Sequence, residues 1–247
     1  MSTAPHTWPR LFLAEILDGR AEITLGPEPS HYLTHVLRAA AGDPVRLFDG
    51  QNGEWRGVIT ALSQNKKSGV TLSLEEKLRE QNSEPDLWLC CAPIKRAHFD
   101  FMIQKATELG VSVIQPVLTA RAQIRETNTA RLRAIAIEAA EQSERLTIPD
   151  VREVLTLNQL IKTWPAPRLP ILCAEFGDAQ SIGKALRKTD QAAVITGPEG
   201  GFAPDEMAAL RTLPNVLPVR LGPRILRADT AALAALSCWQ ALCGDWQ

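Results

Sequence analysis

The spacing of apolar residues changes after the first third of the chain. In the earlier part, short runs of alternating apolar and polar residues are separated by Asp-Gly, Asn-Gly and Asn-Lys-Lys-Ser-Gly turns, a pattern typical of antiparallel strands. The runs are DPVRLFDG (43–50), GEWRGVITAL (53–62) and SGVTLSLEE (68–76). One helix is predicted over EPSHYLTHVLRAAA (28–41), with Gly42 as its C-terminal cap. The pattern predicts a small β-rich domain over residues 1–78.

A polar segment, REQNSEPD (79–86), has no apolar periodicity and contains a proline, so we predict a linker there. Beyond it, apolar runs of strand length alternate with helical spacing, as in HFDFMIQKATELG (98–110), RLRAIAIEAAEQSERL (131–146) and DTAALAALSCWQALC (229–243). The strand-like runs are DLWLCCAP (86–93), VSVIQPVLT (111–119), LPILCAE (169–175), AAVITG (192–197) and NVLPVRLG (215–222). This alternation predicts an α/β domain with a mostly parallel sheet over residues 87–247.

Composition narrows the class of protein. With 45% hydrophobic and 22% charged residues, the 247-residue chain can bury a large core, and disorder is not expected. No stretch approaches the roughly 20 apolar residues of a membrane span, and the first residues lack the apolar run of a signal peptide, so we expect a soluble cytoplasmic protein. The net charge of −1 argues against a uniformly basic surface but allows a local basic patch.

Cysteine and histidine spacing gives no metal signal. The five cysteines are odd in number, lie in apolar segments and lack metal-ligand spacing, so we expect buried, reduced thiols. His31 and His35 have helical spacing but no cysteine or carboxylate companions. We therefore expect no metal site.

The stretch VITGPEGGF (194–202) places three glycines, a proline and a carboxylate directly after a buried strand. Ligands of open parallel sheets bind beyond the carboxyl ends of strands, and glycine lets the backbone approach a ligand closely. The spacing matches neither the dinucleotide nor the phosphate-loop motif, and no lysine follows, which disfavours nucleotide hydrolysis. The same residues also fit a simple turn in which Pro204, Asp205 and Glu206 open a helix.

A second glycine loop lies within LGPRILRADTAALAAL (221–236), directly after the last predicted strand. Two loops at the carboxyl ends of two strands could form one pocket. Equally, Arg224 and Arg227 fit a solvated surface, and Asp229 or Thr230 fits a helix N-cap. The residues alone leave both interpretations open.

Four blocks in this order resemble the bacterial ribosomal RNA small subunit methyltransferase E family, of the SPOUT class. They are QKATELG (104–110), EAAEQSER (138–145), TGPEGGF (196–202) and LGPRILRADTA (221–231), and HYLTHVLR (31–38) is similar to the family's first domain. The resemblance covers nearly the whole chain. It implies a PUA-like β-barrel RNA-binding domain over 1–78, and a SPOUT methyltransferase domain with a trefoil knot over 87–247, in a homodimer.

The implied reaction is methylation of N3 of a uridine in 16S ribosomal RNA of the small ribosomal subunit, with S-adenosylmethionine as the methyl donor. This is a step of ribosome biogenesis. The resemblance implies that the two glycine loops bind the cofactor, through Thr196, Gly197, Pro198, Glu199, Gly200, Gly201, Leu221, Gly222, Ile225, Leu226, Thr230 and Ala231.

The proton on uracil N3 must leave before or during methyl transfer, so the site needs a base or a group that stabilises the uracil anion. Arg227 is the candidate for stabilising charge on a uracil oxygen, and Glu199 or Asp229 for orienting that arginine or accepting the proton. The family usually has Glu at the position of Asp229, which puts any role that depends on carboxylate reach in doubt. Arg10, Arg38 and Arg46 are candidates for phosphate contacts in the first domain.

Three other functions stay open at this point. A non-catalytic RNA-binding protein would explain the small β domain and the arginines but not two glycine loops at strand ends. A methyltransferase acting on another RNA would explain the small β domain with its arginines and also the two glycine loops. A nucleotide-dependent enzyme would explain the loops but not the missing lysine.

Overall fold

The protein is described from a computed structural model, which covers residues 5–18, 20–62, 69–174 and 179–247. The chain forms two compact units. The first consists of Met1–Ser83 and Glu141–Thr147, and the second of Glu84–Ala140 and Ile148–Gln247. Among the described residues, every helix is too short or too polar to cross a membrane.

The first unit is built on a sheet whose strands, within the described residues, are β1 (Arg10–Phe12), β2 (Glu22–Thr24), β3 (Pro44–Phe48), β4 (Glu54–Leu62) and β5 (Val70–Arg79). Their order is β1-β3-β4-β5-β2. The β1–β3 pair is parallel and the other pairs are antiparallel. Leu17, Leu33, Leu47 and Leu72 are fully buried in its core. The three strand-like runs predicted in this part are confirmed as β3, β4 and β5.

The helix predicted over 28–41 is shorter than expected. After a 3-10 turn at Pro5–Thr7, the unit has helix α1 (Pro27–His31), which continues as a π-helical turn over Tyr32–Val36. Arg38 then adopts a φ of +53°, which ends the helical path. Gly42 does not cap a helix; its N–H donates to the carbonyl of Ile59, at 2.8 Å, so this stretch runs beside β4.

The second unit contains a parallel sheet. Its strands, among the described residues, are β6 (Asp86–Cys91), β7 (Val113–Leu118), β8 (Asp150–Val151), β9 (Leu155–Thr156), β10 (Leu169–Cys173), β11 (Gln180–Ser181), β12 (Gln191–Thr196) and β13 (Leu217–Arg220). The order is β11-β13-β10-β12-β6-β7-β8, and β9 also pairs with β7. Every pair is parallel. The predicted α/β class is confirmed, whereas the trefoil knot stays a prediction.

The described helices after α1 are α2 (Arg96–Glu108), α3 (Thr129–Gln142), α4 (Leu157–Lys162), α5 (Ile182–Ala185), α6 (Pro204–Leu210) and α7 (Ala228–Leu242). Helices α2 to α6 lie between parallel strands along the chain, and α7 follows the last strand. The alanine-rich helix α7 packs against α2 and β12, and its Trp239 is fully buried. Helix α2 begins two residues before the predicted start, which places His98 in its first turn.

Candidate active site

A cavity of about 1000 Å³ opens at the carboxyl ends of β10, β12 and β13. Because β10 lies between β12 and β13 in the sheet, the loop after β12 (197–203) and the loop after β13 (221–227) flank its end. Both loops line the cavity, and Cys173 and Ala174 line it at the end of β10. All of these residues belong to the second unit. A volume of this size suits a ligand of cofactor dimensions.

The loop after β12 needs its glycines for backbone geometry. The N–H of Gly201 donates to the carbonyl of Pro198, at 2.9 Å, and its φ of +68° lies in the left-handed region. At Gly197, a Cβ atom would approach the ring of Phe202 to 3.2 Å. The carbonyl of Gly200 accepts a hydrogen bond from Nη1 of Arg121, at 2.8 Å. The loop is therefore held in one shape by its own turn and by an arginine from the loop after β7.

Glu206 ties the same loop to its neighbour. Its Oε2 accepts from the backbone N–H of Ala203, at 2.9 Å, and its Oε1 accepts from the N–H of Ala120, at 2.6 Å. Ala203 is the N-cap of α6 and Glu206 is its N3 residue, so the carboxylate accepts from the N-cap N–H as in one half of a capping box. One carboxylate thus fixes both the β7 loop, with Arg121, and the β12 loop.

The loop after β13 supplies an apolar wall. Gly222 has a φ of +113°, which favours glycine, and it turns the chain between Leu221 and the following arginines. Ile225 lines the cavity although the residue is 72% exposed. A ligand in the cavity could cover this apolar surface and gain the free energy of its burial.

The hydroxyl of Thr196 and the thiol of Cys173 are two polar groups of residues in the cavity wall. Thr196, at the end of β12, is 3% exposed, and its Oγ1 has no hydrogen-bond partner among the described residues. A buried hydroxyl normally has a partner, so Thr196 is an exception in the wall of this cavity. Burial raises the pKa of the Cys173 thiol to about 12, so this thiol stays protonated near neutral pH. Among the described residues, no cluster of His, Cys, Asp and Glu could hold a metal ion.

A chain of three polar side chains lies at the start of α7. Nη2 of Arg227 lies 3.2 Å from Nε2 of His98, and Nδ1 of the same ring lies 2.9 Å from Oδ2 of Asp229. Oδ1 of Asp229 accepts from the backbone N–H of Thr230, at 2.9 Å. Arg227 lines the cavity, so the chain leads from the cavity wall to a half-buried carboxylate.

The structure brings most of the predicted site residues together. Of the predicted cofactor ligands, all except Thr230 line the cavity, and Thr230 lies exposed in the first turn of α7. Of the predicted catalytic residues, Arg227 and Glu199 line the cavity, and Asp229 connects to Arg227 through His98. Their roles stay predictions.

Sequence reasoning missed His98 and the loop contact of Arg121. Both residues follow parallel strands at the carboxyl edge of the sheet, His98 after β6 and Arg121 after β7. That position was the signal available for finding them.

The arginines predicted to contact RNA differ in their surroundings. Arg10 and Arg46 are each 7% exposed. Arg10 donates to Glu54 and, through Nη2, to the carbonyl of Arg145, at 2.8 Å, while Nη1 of Arg46 lies 2.8 Å from Oε1 of Glu144. These contacts and their burial hold both side chains within the first unit and argue against phosphate binding. Arg38 is exposed.

Comparison with known proteins identifies the family. A family model described as an RNA methyltransferase domain matches residues 81–240. A second family model, described as an RNA methyltransferase PUA domain, matches residues 25–71. The chain is 34% identical over 233 residues to ribosomal RNA small subunit methyltransferase E of Rickettsia conorii, covering 92% of this chain and 93% of that protein. This chain belongs to the ribosomal RNA small subunit methyltransferase E family. The predicted resemblance is confirmed.

A second relative by sequence and two solved structures are also similar to this chain. The protein of that name from a Synechocystis strain is 36% identical over 229 residues, covering 90% of this chain and 74% of that protein. A Legionella pneumophila methyltransferase solved with S-adenosylmethionine superposes with a TM-score of 0.87 at 29% identity, covering 96% and 99% of the two chains. A methyltransferase E from Neisseria gonorrhoeae, also bound to S-adenosylmethionine, gives 0.86 at 28% identity, covering 97% and 100%.

Proposed function

We propose that this protein transfers a methyl group from S-adenosylmethionine to N3 of a uridine in 16S ribosomal RNA of the small ribosomal subunit. The observation that carries the proposal is the cavity between the two glycine loops, in a chain whose structural relatives were solved with that cofactor. The homodimer, the knotted C-terminal domain and the uridine N3 target follow from the family resemblance and are part of the proposal.

The cavity suits this cofactor in size and in chemistry. Leu221, Ile225 and Leu226 offer an apolar wall to the adenine, and the backbone of the two loops offers hydrogen-bonding groups at close approach. When bound, S-adenosylmethionine supplies a methyl group attached to a sulfonium sulfur. After the transfer, that sulfur is left as a neutral thioether.

The residues of this chain would then align the uracil and handle its proton. Arg227 donates hydrogen bonds to a uracil oxygen, where negative charge develops as N3 loses its proton. Glu199, an exposed carboxylate in the cavity wall, accepts that proton through solvent. Asp229 acts on Arg227 through His98 rather than on the substrate. Positioning of the two reactants supplies much of the remaining acceleration.

The first unit would bind the RNA. Its match to an RNA methyltransferase PUA domain supports this assignment. Arg38 is the remaining candidate among the predicted phosphate contacts, and the exposed, stacked rings of His31 and His35, with centroids 4.5 Å apart, lie nearby in the chain. RNA contacts made here would offset the cost of unstacking a uridine, which is a few kcal/mol.

Two measurements test the proposal. Calorimetric titration should detect binding of S-adenosylmethionine and no binding of ATP. Small ribosomal subunits from cells lacking this protein should then accept one labelled methyl group, which nucleotide mapping should locate on N3 of a uridine in 16S RNA. Absence of both binding and transfer would favour a non-catalytic RNA-binding protein. Binding of S-adenosylmethionine without transfer to small subunits, or a different labelled RNA, would overturn the target. Binding of ATP instead of S-adenosylmethionine would favour a nucleotide-dependent enzyme.

A further inference from the structure

We infer that His98 is a positioning residue that holds Arg227 in its working orientation, as a neutral imidazole with its hydrogen on Nδ1. This role rests on the proposed function, in which Arg227 contacts the uracil. The inference concerns the direction of the hydrogen bonds in the chain formed by Arg227, His98 and Asp229, which no sequence pattern in these segments indicates.

The direction of each hydrogen bond follows from the chemistry of its ends. A guanidinium has only donors, so Nη2 of Arg227 must donate to Nε2 of His98, at 3.2 Å. Nε2 therefore carries a lone pair, and the hydrogen of the neutral ring lies on Nδ1. Nδ1 then donates to Oδ2 of Asp229, at 2.9 Å. Both contacts are satisfied by one tautomer only.

Asp229 is itself fixed, which makes the tautomer stable. Its Oδ1 accepts from the backbone N–H of Thr230, at 2.9 Å, so the carboxylate cannot rotate freely away from the ring. Its side chain is 13% exposed, against 38% for His98. The two helices that carry these groups, α2 and α7, pack against each other. The anchor is thus rigid, and the ring leads from it toward the cavity.

The His98 ring accepts a hydrogen bond from one nitrogen of Arg227, so the other N–H groups of the guanidinium stay available to a substrate. A free arginine side chain samples many rotamers, and a fork that is already oriented loses less freedom when it binds. Holding Arg227 before the uracil arrives should therefore raise kcat by about tenfold and should leave cofactor affinity unchanged, because His98 is not part of the cavity wall.

The first experiment measures the tautomer in the full-length protein without cofactor. Nitrogen NMR of the imidazole should show the hydrogen on Nδ1. In Asp229→Asn, the N–H of Thr230 keeps the amide oxygen on its side, so the amide nitrogen faces Nδ1 and donates to it. The hydrogen should then move to Nε2, facing Arg227, and kcat should fall. A wild-type ring with its hydrogen on Nε2 would overturn the inference.

The second experiment separates the two nitrogens of His98 by substitution. His98→Gln places an acceptor near the position of Nε2, so kcat should stay within about threefold of wild type. His98→Asn keeps only a group near the position of Nδ1, so kcat should fall by about tenfold. The dissociation constant of S-adenosylmethionine should stay within about twofold in both variants. Equal losses in the two variants, or a loss of cofactor affinity that matches the loss of kcat, would indicate a structural role instead.

A double-mutant cycle completes the test. If His98 acts through Arg227, adding His98→Asn to Arg227→Ala should lower kcat no further. Independent, multiplying losses would overturn the inference even though the enzyme is active. A wild-type protein that neither binds S-adenosylmethionine nor methylates small subunits would overturn the proposed function and the positioning role with it, whatever tautomer NMR reports.

Discussion

The left-handed backbone of Gly222 explains why the loop after β13 requires glycine. With a φ of +113°, an alanine would be strained here, although its Cβ would meet no atom within 4 Å. In Gly222→Ala, the backbone strain should therefore be about 1–3 kcal/mol. Part of it should lower the free energy of unfolding, and part should be relieved by a change in the shape of the loop. We expect weaker binding of S-adenosylmethionine by calorimetry and a lower free energy of unfolding in urea.

Gly183→Ala is the matched control, because Gly183 lies in α5 with no positive φ and with no atom within 4 Å of an added Cβ. This variant should keep its affinity for the cofactor, and its free energy of unfolding should rise by about a few tenths of a kcal/mol or more. If the two alanine variants bound the cofactor equally well, the assignment of the β13 loop to cofactor binding would be wrong.

At the residue scale, the sequence predicted contacts within a loop better than contacts between elements. The glycine loops were found because their composition is unusual directly after apolar strands. His98 was missed because its contact with Asp229 depends on α2 lying beside α7. Arg10 and Arg46 were predicted on the surface, yet they lie opposite each other in register on β1 and β3 and are buried together. Strand pairing of this kind cannot be recognised in a single run of residues.

Among the elements, the link made by Glu206 between two loops should be energetically visible. Glu206→Ala would remove the acceptor of the N–H groups of Ala120 and Ala203, which should lower the free energy of unfolding by about 1–2 kcal/mol. Because the same carboxylate holds the loops that carry Arg121 and Gly200, cofactor affinity should fall as well, by about fivefold.

Asp205→Ala serves as its control, since Asp205 is the exposed neighbour in the same helix. It should change the free energy of unfolding by no more than about 0.5 kcal/mol and leave cofactor affinity unchanged. Thermal unfolding and calorimetry compare the two variants. Unaltered affinity in a destabilised Glu206→Ala protein would show that the loops keep their shape without this link.

The elements themselves were predicted where a long apolar pattern defined them. The five principal parallel strands and the long helices α2, α3 and α7 match runs of at least several periodic residues. The two-residue strands β8, β9 and β11 were missed because a strand of that length has no period. The helix predicted over 28–41 was too long because the left-handed conformation of Arg38 is not encoded by a glycine.

For the molecule as a whole, acid stability should depend on Asp86, at the amino ends of the parallel strands. Its carboxylate accepts hydrogen bonds from Arg168, Ser112 and Trp88. Burial opposes its ionisation, but the hydrogen bonds from Arg168, Ser112 and Trp88, together with the charge of Arg168, outweigh burial and hold the pKa of Asp86 below its ordinary value. A lowered pKa stabilises the fold above the pKa of the unfolded chain, about 3.9, and this stabilisation is lost as pH falls through the folded pKa.

Asp86→Ala should therefore lower the free energy of unfolding by about 1–2 kcal/mol near pH 7, because it leaves the buried guanidinium of Arg168 without its carboxylate, and the partial exposure of Asp86 screens the pair. The difference from wild type should shrink as the pH falls below about 4. Urea unfolding across this range measures it, with the exposed Asp190→Ala as control. A pH-independent difference would mean that lost packing, rather than the charge, is responsible.

The return of the chain to the first unit at Glu141–Thr147 has a consequence for protein synthesis. The carbonyl of Arg145 and the carboxylate of Glu144 bind the buried side chains of Arg10 and Arg46, yet the ribosome makes them only after residues 84–140. A nascent chain that has reached Ser83 therefore carries a first unit with buried arginines that lack these partners. A gene divided at codon 84 would likewise yield two incomplete pieces, each missing part of what the other encodes.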